Sequence, residues 1–193
     1  MKKLFWVPAV LLALVFAGSA SAQEKKPEQK ATLASEVDQQ LKIVEGEFTS
    51  AAEAMPEDKY SFAPTTGEFK GVRTFAEQIK HVAAANYLFF SWFLGQKPPE
   101  GNENGPANVK TKDEILKYLK DSFALAHRAI ATLTPENATE QLNGPDGKPR
   151  GVPFNSRLAI ATIGCWHPMD HYGQMVEYLR MNGIIPPASR PKK

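Results

Sequence analysis

What most constrains this chain is a fourfold recurrence: four blocks of apolar residues at helical spacing, each opened by residues able to cap a helix and closed by proline or glycine. Val37, Leu41, Val44, Phe48 and Ala51 form the first stripe, after Ser35 and with Asp38 three residues on. It stops near Met55-Pro56. Pro56, Pro64, Gly67 and Gly71 interrupt the next 18 residues, Pro56 to Arg73, too often for a strand or helix, so a long crossover follows. Thr74 and Glu77 have capping-box spacing, in which hydroxyl and carboxylate each satisfy a free backbone N–H. They open a run from Phe75 to Leu94 that Gly95, Pro98 and Pro99 close.

Thr111 and Glu114 repeat the box ahead of Leu116, Leu119, Phe123, Ala126, Ile130 and Leu133, and Thr134-Pro135 ends that third block. A short helical turn is expected after Pro135. Asn143 to Pro153 is turn chemistry, and Asn155 or Ser156 caps a fourth helix running to about Asn182, with Gly183 as its stop. No strand block or internal repeat competes. The architecture that buries four such stripes is an all-α four-helix bundle with a long connection between helices one and two.

The N-terminus reads as a targeting segment. Lys2 and Lys3 precede 14 largely apolar residues, Leu4 to Ala17, and Ala20-Ser21-Ala22 offers small residues for cleavage. A membrane span needs about 20 residues, and this run contains Pro8. The expected organisation is a signal peptide over 1–22, a flexible polar arm over 23–33 and the bundle domain over 34–193. The product is then exported, periplasmic or extracellular, with no membrane contact after cleavage. Of 23 basic residues Lys2 and Lys3 lie in the leader, and the remaining 21 meet 21 acidic ones. Such a balance leaves no electrostatic footprint for nucleic acid. Cys165 is the single cysteine, which excludes an intrachain disulfide and a multi-thiolate zinc site. A homodimer is compatible with such a bundle.

Histidine carries the chemistry. His167 and His171 are four apart in the fourth block, so they stand about 40° apart and about one turn along the axis, where both imidazoles reach one point. Ile160, Ile163, Gln174, Met175 and Tyr178 share that side, which points it into the bundle. Two unpaired buried imidazoles are costly, and a shared metal is the better solution if a third ligand exists. His81, in the second block beside the small residues Ala83, Ala84 and Ala85, is either that ligand or a hydrogen-bonded buried histidine.

The stretch His167-Pro-Met-Asp-His171-Tyr-Gly-Gln174, continued by Tyr178-Leu-Arg180-Met-Asn-Gly183-Ile-Ile-Pro186-Pro187, resembles the DinB-like superfamily, including its YfiT branch. So do Glu77-Gln-Ile-Lys-His81-Val-Ala and Met55-Pro56 with Tyr60-Ser-Phe62, and the likeness extends over nearly the whole mature chain. It implies a four-helix bundle whose divalent metal is held by one histidine of the second helix and two of the fourth. Those positions are His81, His167 and His171. Zinc or nickel is the expected ion. Some relatives transfer low-molecular-weight thiols and hydrolysis is allied to this, so the resemblance implies a metal-dependent transferase or hydrolase acting on a small molecule. The alternative is a non-enzymatic bundle in which the ion is structural.

Pro168 departs from the usual pattern, because it removes a backbone donor and crowds the carbonyl of Gly164. Either the helix kinks there or it starts anew at Pro168. His127 on the third stripe is a fourth ligand, a base or an ordinary half-buried histidine, and Asp170 either orients an imidazole or stays solvated. Cys165 points away from the ligands, about 200° round the helix from His167. Arg180 and Tyr172 belong to the family-like motif, and an exposed ion pair and a packed aromatic explain them equally well, while Asn137-Ala-Thr139 matches a glycosylation sequon. Paired Glu-x-x-His motifs of di-iron bundles are missing, and proline at 168 stands where a zincin protease needs glutamate.

Overall fold

A computed structural model describes residues 30–143 and 155–191. The expected signal peptide, most of the expected arm and most of the expected Asn143–Pro153 turn lie outside the described residues. Among the described residues four α-helices make the domain: α1 (Leu33–Ala54), α2 (Phe75–Phe93), α3 (Lys112–Ile130) and α4 (Arg157–Met181). It is the all-α bundle that the periodicity indicates. None of the described helices is long and apolar enough to cross a membrane.

The starts of α2 and α3 are the two expected capping boxes, with Thr74 and Thr111 as caps answered by Glu77 and Glu114. The start of α1 differs. Thr32 caps it, and Ser35 is the reciprocal partner rather than the cap. A Ser can fill either role in a reciprocal pair, so two hydroxyls three apart do not say from sequence which one begins the helix. Ser156 caps α4, its Oγ accepting from the backbone N–H of Ala159. α3 ends at Ile130, three residues before buried Leu133, which packs from a turn, and turns rather than a helix follow Pro135. In its core face Ile115 is buried where the spacing indicates Leu116, and Leu116 is half-buried.

The packing places α1 beside α3 and α4, and α2 beside α3 and α4, leaving α1 and α2 on one diagonal and α3 and α4 on the other. Chain lengths follow from this. The crossover from Met55 to Thr74 spans a diagonal, and so does the connection from α3 to α4. Phe48, Phe75, Phe90, Phe93 and Phe123 fill the centre with Leu41, Ile79, Leu119 and Ile160, all fully or nearly fully buried.

The crossover fixes where α2 begins. A 3-10 turn at Glu57–Lys59 interrupts what the sequence indicates as irregular chain, and Tyr60 then donates its hydroxyl to the Ala52 carbonyl at 2.9 Å. The Phe62 and Tyr60 carbonyls accept from the N–H groups of Phe75 and Ala76, each at 2.8 Å, satisfying donors that a helix start leaves open. Phe62 meets Tyr178 of α4 edge-on, with centroids 5.6 Å apart, and the Tyr178 hydroxyl donates to the Arg73 carbonyl. Lys112 donates to the carbonyls of Glu53 and Met55, both at 2.8 Å, closing the end of α1.

One glycine is required by close approach. A Cβ on Gly164 would lie 2.4 Å from Cζ of Phe90, so its absence lets α2 and α4 come together just above the histidines.

Candidate metal centre

α2 and α4 are adjacent, and their histidines meet. α4 runs unbroken through Pro168 and does not restart there, so His167 and His171 keep their four-residue spacing on one face. Their Nε2 atoms stand 3.2 Å apart. His81, the seventh residue of α2, brings its ring to 5.3 Å from that of His167 and 4.8 Å from that of His171. One ring nitrogen from each of the three lies within 4.8 Å of the others.

Two of the rings are oriented from behind. His171 is buried, and its Nδ1 donates to Oε1 of Gln78 at 2.5 Å, while Nε2 of Gln78 donates to Oε1 of Gln174 at 2.8 Å. His81 donates from Nδ1 to the Glu103 carbonyl at 2.7 Å. A proton on Nδ1 leaves a lone pair on Nε2, which in His171 is the nitrogen turned toward His167. The edges of Phe89 and Trp166 flank His167, with centroids 6.3 and 6.4 Å away.

Electrostatics set the same protonation state. Burial, together with the neighbouring imidazoles, pushes His171 down to about 3 and His167 down to about 4. Burial also lowers His81, against the opposing pull of its bond to the Glu103 carbonyl. All three are therefore neutral near pH 7, the form in which imidazole ligates. The donor set fits a divalent ion. Two nitrogens at about 2.0 to 2.1 Å from one tetrahedral ion stand about 3.3 Å apart, close to the observed separation of the His167 and His171 nitrogens.

The remaining sequence candidates lie elsewhere or act differently. His127 sits between α1 and α3, its Nδ1 2.5 Å from Oδ1 of Asp38 and its Nε2 3.0 Å from Oε2 of Glu45, so neither ring nitrogen is left for a fourth ligand. Asp170 is exposed and reaches the centre only across a cavity it shares with His171. The orienting task considered for Asp170 belongs to Gln78 and the Glu103 carbonyl. Sequence reasoning misses both, although a glutamine three residues before a histidine on an apolar face is a readable signal. Cys165 is half-buried, bonds the Ala161 carbonyl through its thiol, and is pushed up by burial. Asn137 uses both ends of its amide inside its own turn, on the Thr134 N–H and the Thr132 carbonyl. Arg180 donates to the Ser189 hydroxyl, and Tyr172 pairs with Glu47.

The centre opens to two cavities. One of about 600 Å³ is polar, bounded by Arg73, Gln78, Glu103, Asp170, His171 and Gln174. The other, about 290 Å³, lies against His81 and His167 on the α2–α3 side. Arg73 holds the loop between them, its guanidinium 3.5 Å from the Glu103 carboxylate and 3.3 Å from the Asn104 side-chain oxygen.

The fold is similar to that of a solved structure described as the conserved protein of locus from Enterococcus faecalis, with a TM-score of 0.62 and 14% identity. That likeness covers 79% of this chain and 98% of the other. No curated protein matches the chain. The model of the DinB superfamily matches residues 40–175, a span that starts inside α1, ends at Met175 and includes all three histidines. The chain belongs to the DinB superfamily.

Proposed function

We propose that the chain is an exported, metal-dependent enzyme that binds one divalent ion through His81, His167 and His171 and transfers a low-molecular-weight thiol or hydrolyses a small molecule. The observation that carries this reading is a three-nitrogen set, oriented from behind and facing two cavities, with no fourth histidine, cysteine or carboxylate grouped with it among the described residues. Zinc or nickel held by three neutral imidazoles supplies Lewis acidity at a position left open to substrate, where a thiol or water is made more acidic. Gln78 and the Glu103 carbonyl keep His171 and His81 in the ligating tautomer. Arg73 and Asp170, which line the polar cavity, would hold the charged part of a substrate.

A purely structural ion is the competing reading. It needs a closed ligand set, and His127, the one histidine that remained to close it, is bound to Asp38 and Glu45 on another face. Metal analysis and a panel of thiol-transfer and hydrolysis substrates test the proposal. It requires about one ion per chain, loss of that ion in His171→Ala, and loss of turnover in His81→Ala; unchanged metal content in His171→Ala defeats it. For export, the support is the order of basic, apolar and small residues before Gln23. N-terminal sequencing of exported material should begin at Gln23, and material still carrying Met1 would refute cleavage.

A further inference from the structure

The smaller cavity differs in chemistry from the polar one, and its shape is set by a few residues. Its floor is one face of α2, where His81, Ala84, Ala85 and Leu88 recur at helical spacing. Two methyl groups stand where longer side chains would fill the space. Tyr87 of α2 stacks on Tyr118 of α3 to make a wall, with ring centroids 5.1 Å apart and planes 27° apart. Pro98 and Pro99 supply another rigid, apolar surface, while Glu100, Asn102 and Glu103 of the same loop add polar groups to the lining. Behind Tyr118 stands Gly105, at φ +71°, where a Cβ would lie 3.2 Å from the Tyr118 ring and 3.4 Å from the Lys80 carbonyl. The loop is thus seated tightly on the α2–α3 seam, and it is the loop whose Glu103 carbonyl orients His81. One segment walls the cavity and aims a ligand.

We propose that this chamber is the specificity pocket of the histidine centre and that it takes a flat apolar group, a single aromatic ring on a short linker, whose attached thiol or oxygen reaches the His81 and His167 side. The inference rests on the metal reading above and deepens it. An apolar cavity of about 150 Å³ accommodates benzene, so a volume of about 290 Å³ holds a ring with a linker of a few atoms and little more. Burial raises both phenols, Tyr118 to about 12, so the wall is neutral at physiological pH and offers ring faces suited to offset stacking. The polar chamber on the far side of the centre is left for a hydrophilic co-substrate.

The test uses zinc-loaded full-length domain and two thiols, benzyl mercaptan and 2-mercaptoethanol, with affinities from calorimetry, and benzyl alcohol against metal-free protein by saturation-transfer NMR. Burial of the ring should make benzyl mercaptan bind about tenfold tighter or more than 2-mercaptoethanol. Ala85→Leu, and separately Ala84→Leu, should abolish that preference while zinc stays at about one per chain. Equal affinities in the wild type, or a preference unaltered in both filled variants, overturns the pocket. Protein that takes up no zinc yet transfers saturation to the benzyl alcohol ring, with the transfer abolished by Ala85→Leu, overturns the metal reading and supports the pocket. Zinc binding without ring preference does the reverse.

Discussion

His171 donates its Nδ1 proton to Oε1 of Gln78 at 2.5 Å, a bond that joins α4 to α2 directly behind the histidine centre. Gln78 is itself 2% exposed and passes the connection back to α4 through Gln174, so the amide can turn over only by breaking both bonds. The pair fixes which nitrogen of His171 faces the cluster.

Removing that support should weaken metal binding without removing a ligand. Gln78→Leu keeps the bulk and loses the acceptor, so the zinc dissociation constant should rise about 10- to 100-fold. Gln78→Glu supplies a stronger acceptor to the same Nδ1 and should bind at least as tightly as the wild type. Competition against a chromogenic chelator gives both values. Equal affinity in Gln78→Leu would show that packing alone orients His171.

Gly164→Ala tests the close approach of α2 and α4. Alanine gains about 1 kcal/mol in helix propensity over glycine, and overpacking a buried site costs about 1 to 3 kcal/mol. With a Cβ placed 2.4 Å from the buried Phe90 ring, the overpacking wins and the domain should unfold at lower urea. Adding Phe90→Leu should recover part of the loss, a positive coupling that a mutant cycle measures.

Where the sequence was legible, one residue type dictated one local geometry. Thr74 with Glu77 and Thr111 with Glu114 leave a helix start little choice, and the spacing of His167 and His171 survives because α4 stays continuous through Pro168. Thr32 with Ser35 was ambiguous because each can cap or reciprocate. Leu116 and Ile115 exchange roles because a one-residue step is only 100° of rotation and the stripe is broad. The support of His81 was not legible at all. It comes from a backbone carbonyl, Glu103, and every residue carries one of those. The partners of His127 are likewise 82 and 89 residues away, and only the adjacency of α1 and α3 unites them.

That pairing has an acid signature. Burial alone would raise the Asp38 carboxyl, but the bonds from Lys42 and His127 and their charge outweigh it and hold the group below its ordinary 3.8. A carboxyl whose folded value is depressed stabilises the fold above its unfolded value and loses that contribution as pH falls through the folded one. The loss therefore begins near pH 4 and continues below it. Urea midpoints of wild type and Asp38→Asn should differ at pH 6 and converge as pH drops below about 3.8, and a constant gap between them would refute the linkage.

A bound ion should also stabilise the fold. His81 belongs to α2 while His167 and His171 belong to α4, so a shared ion crosslinks two adjacent helices that otherwise meet through packing and a few hydrogen bonds, those of Gln78 with His171 and Gln174 and that of Arg157 with the Phe93 carbonyl. Ligand that binds only the folded state adds about 2.7 kcal/mol at a free concentration 100 times the dissociation constant. In a domain of this size about 1 kcal/mol moves the melting temperature by roughly 2 to 4 °C, so excess zinc should raise it by roughly 5 to 10 °C over chelator-treated protein. His167→Ala leaves one nitrogen on each helix and should reduce the shift sharply. His127→Ala should lower the melting temperature of the metal-free protein, because it unties α3 from Asp38 and Glu45, yet keep the full zinc-induced shift. A zinc shift that disappears in His127→Ala would instead place that residue on the ion and close the site to substrate.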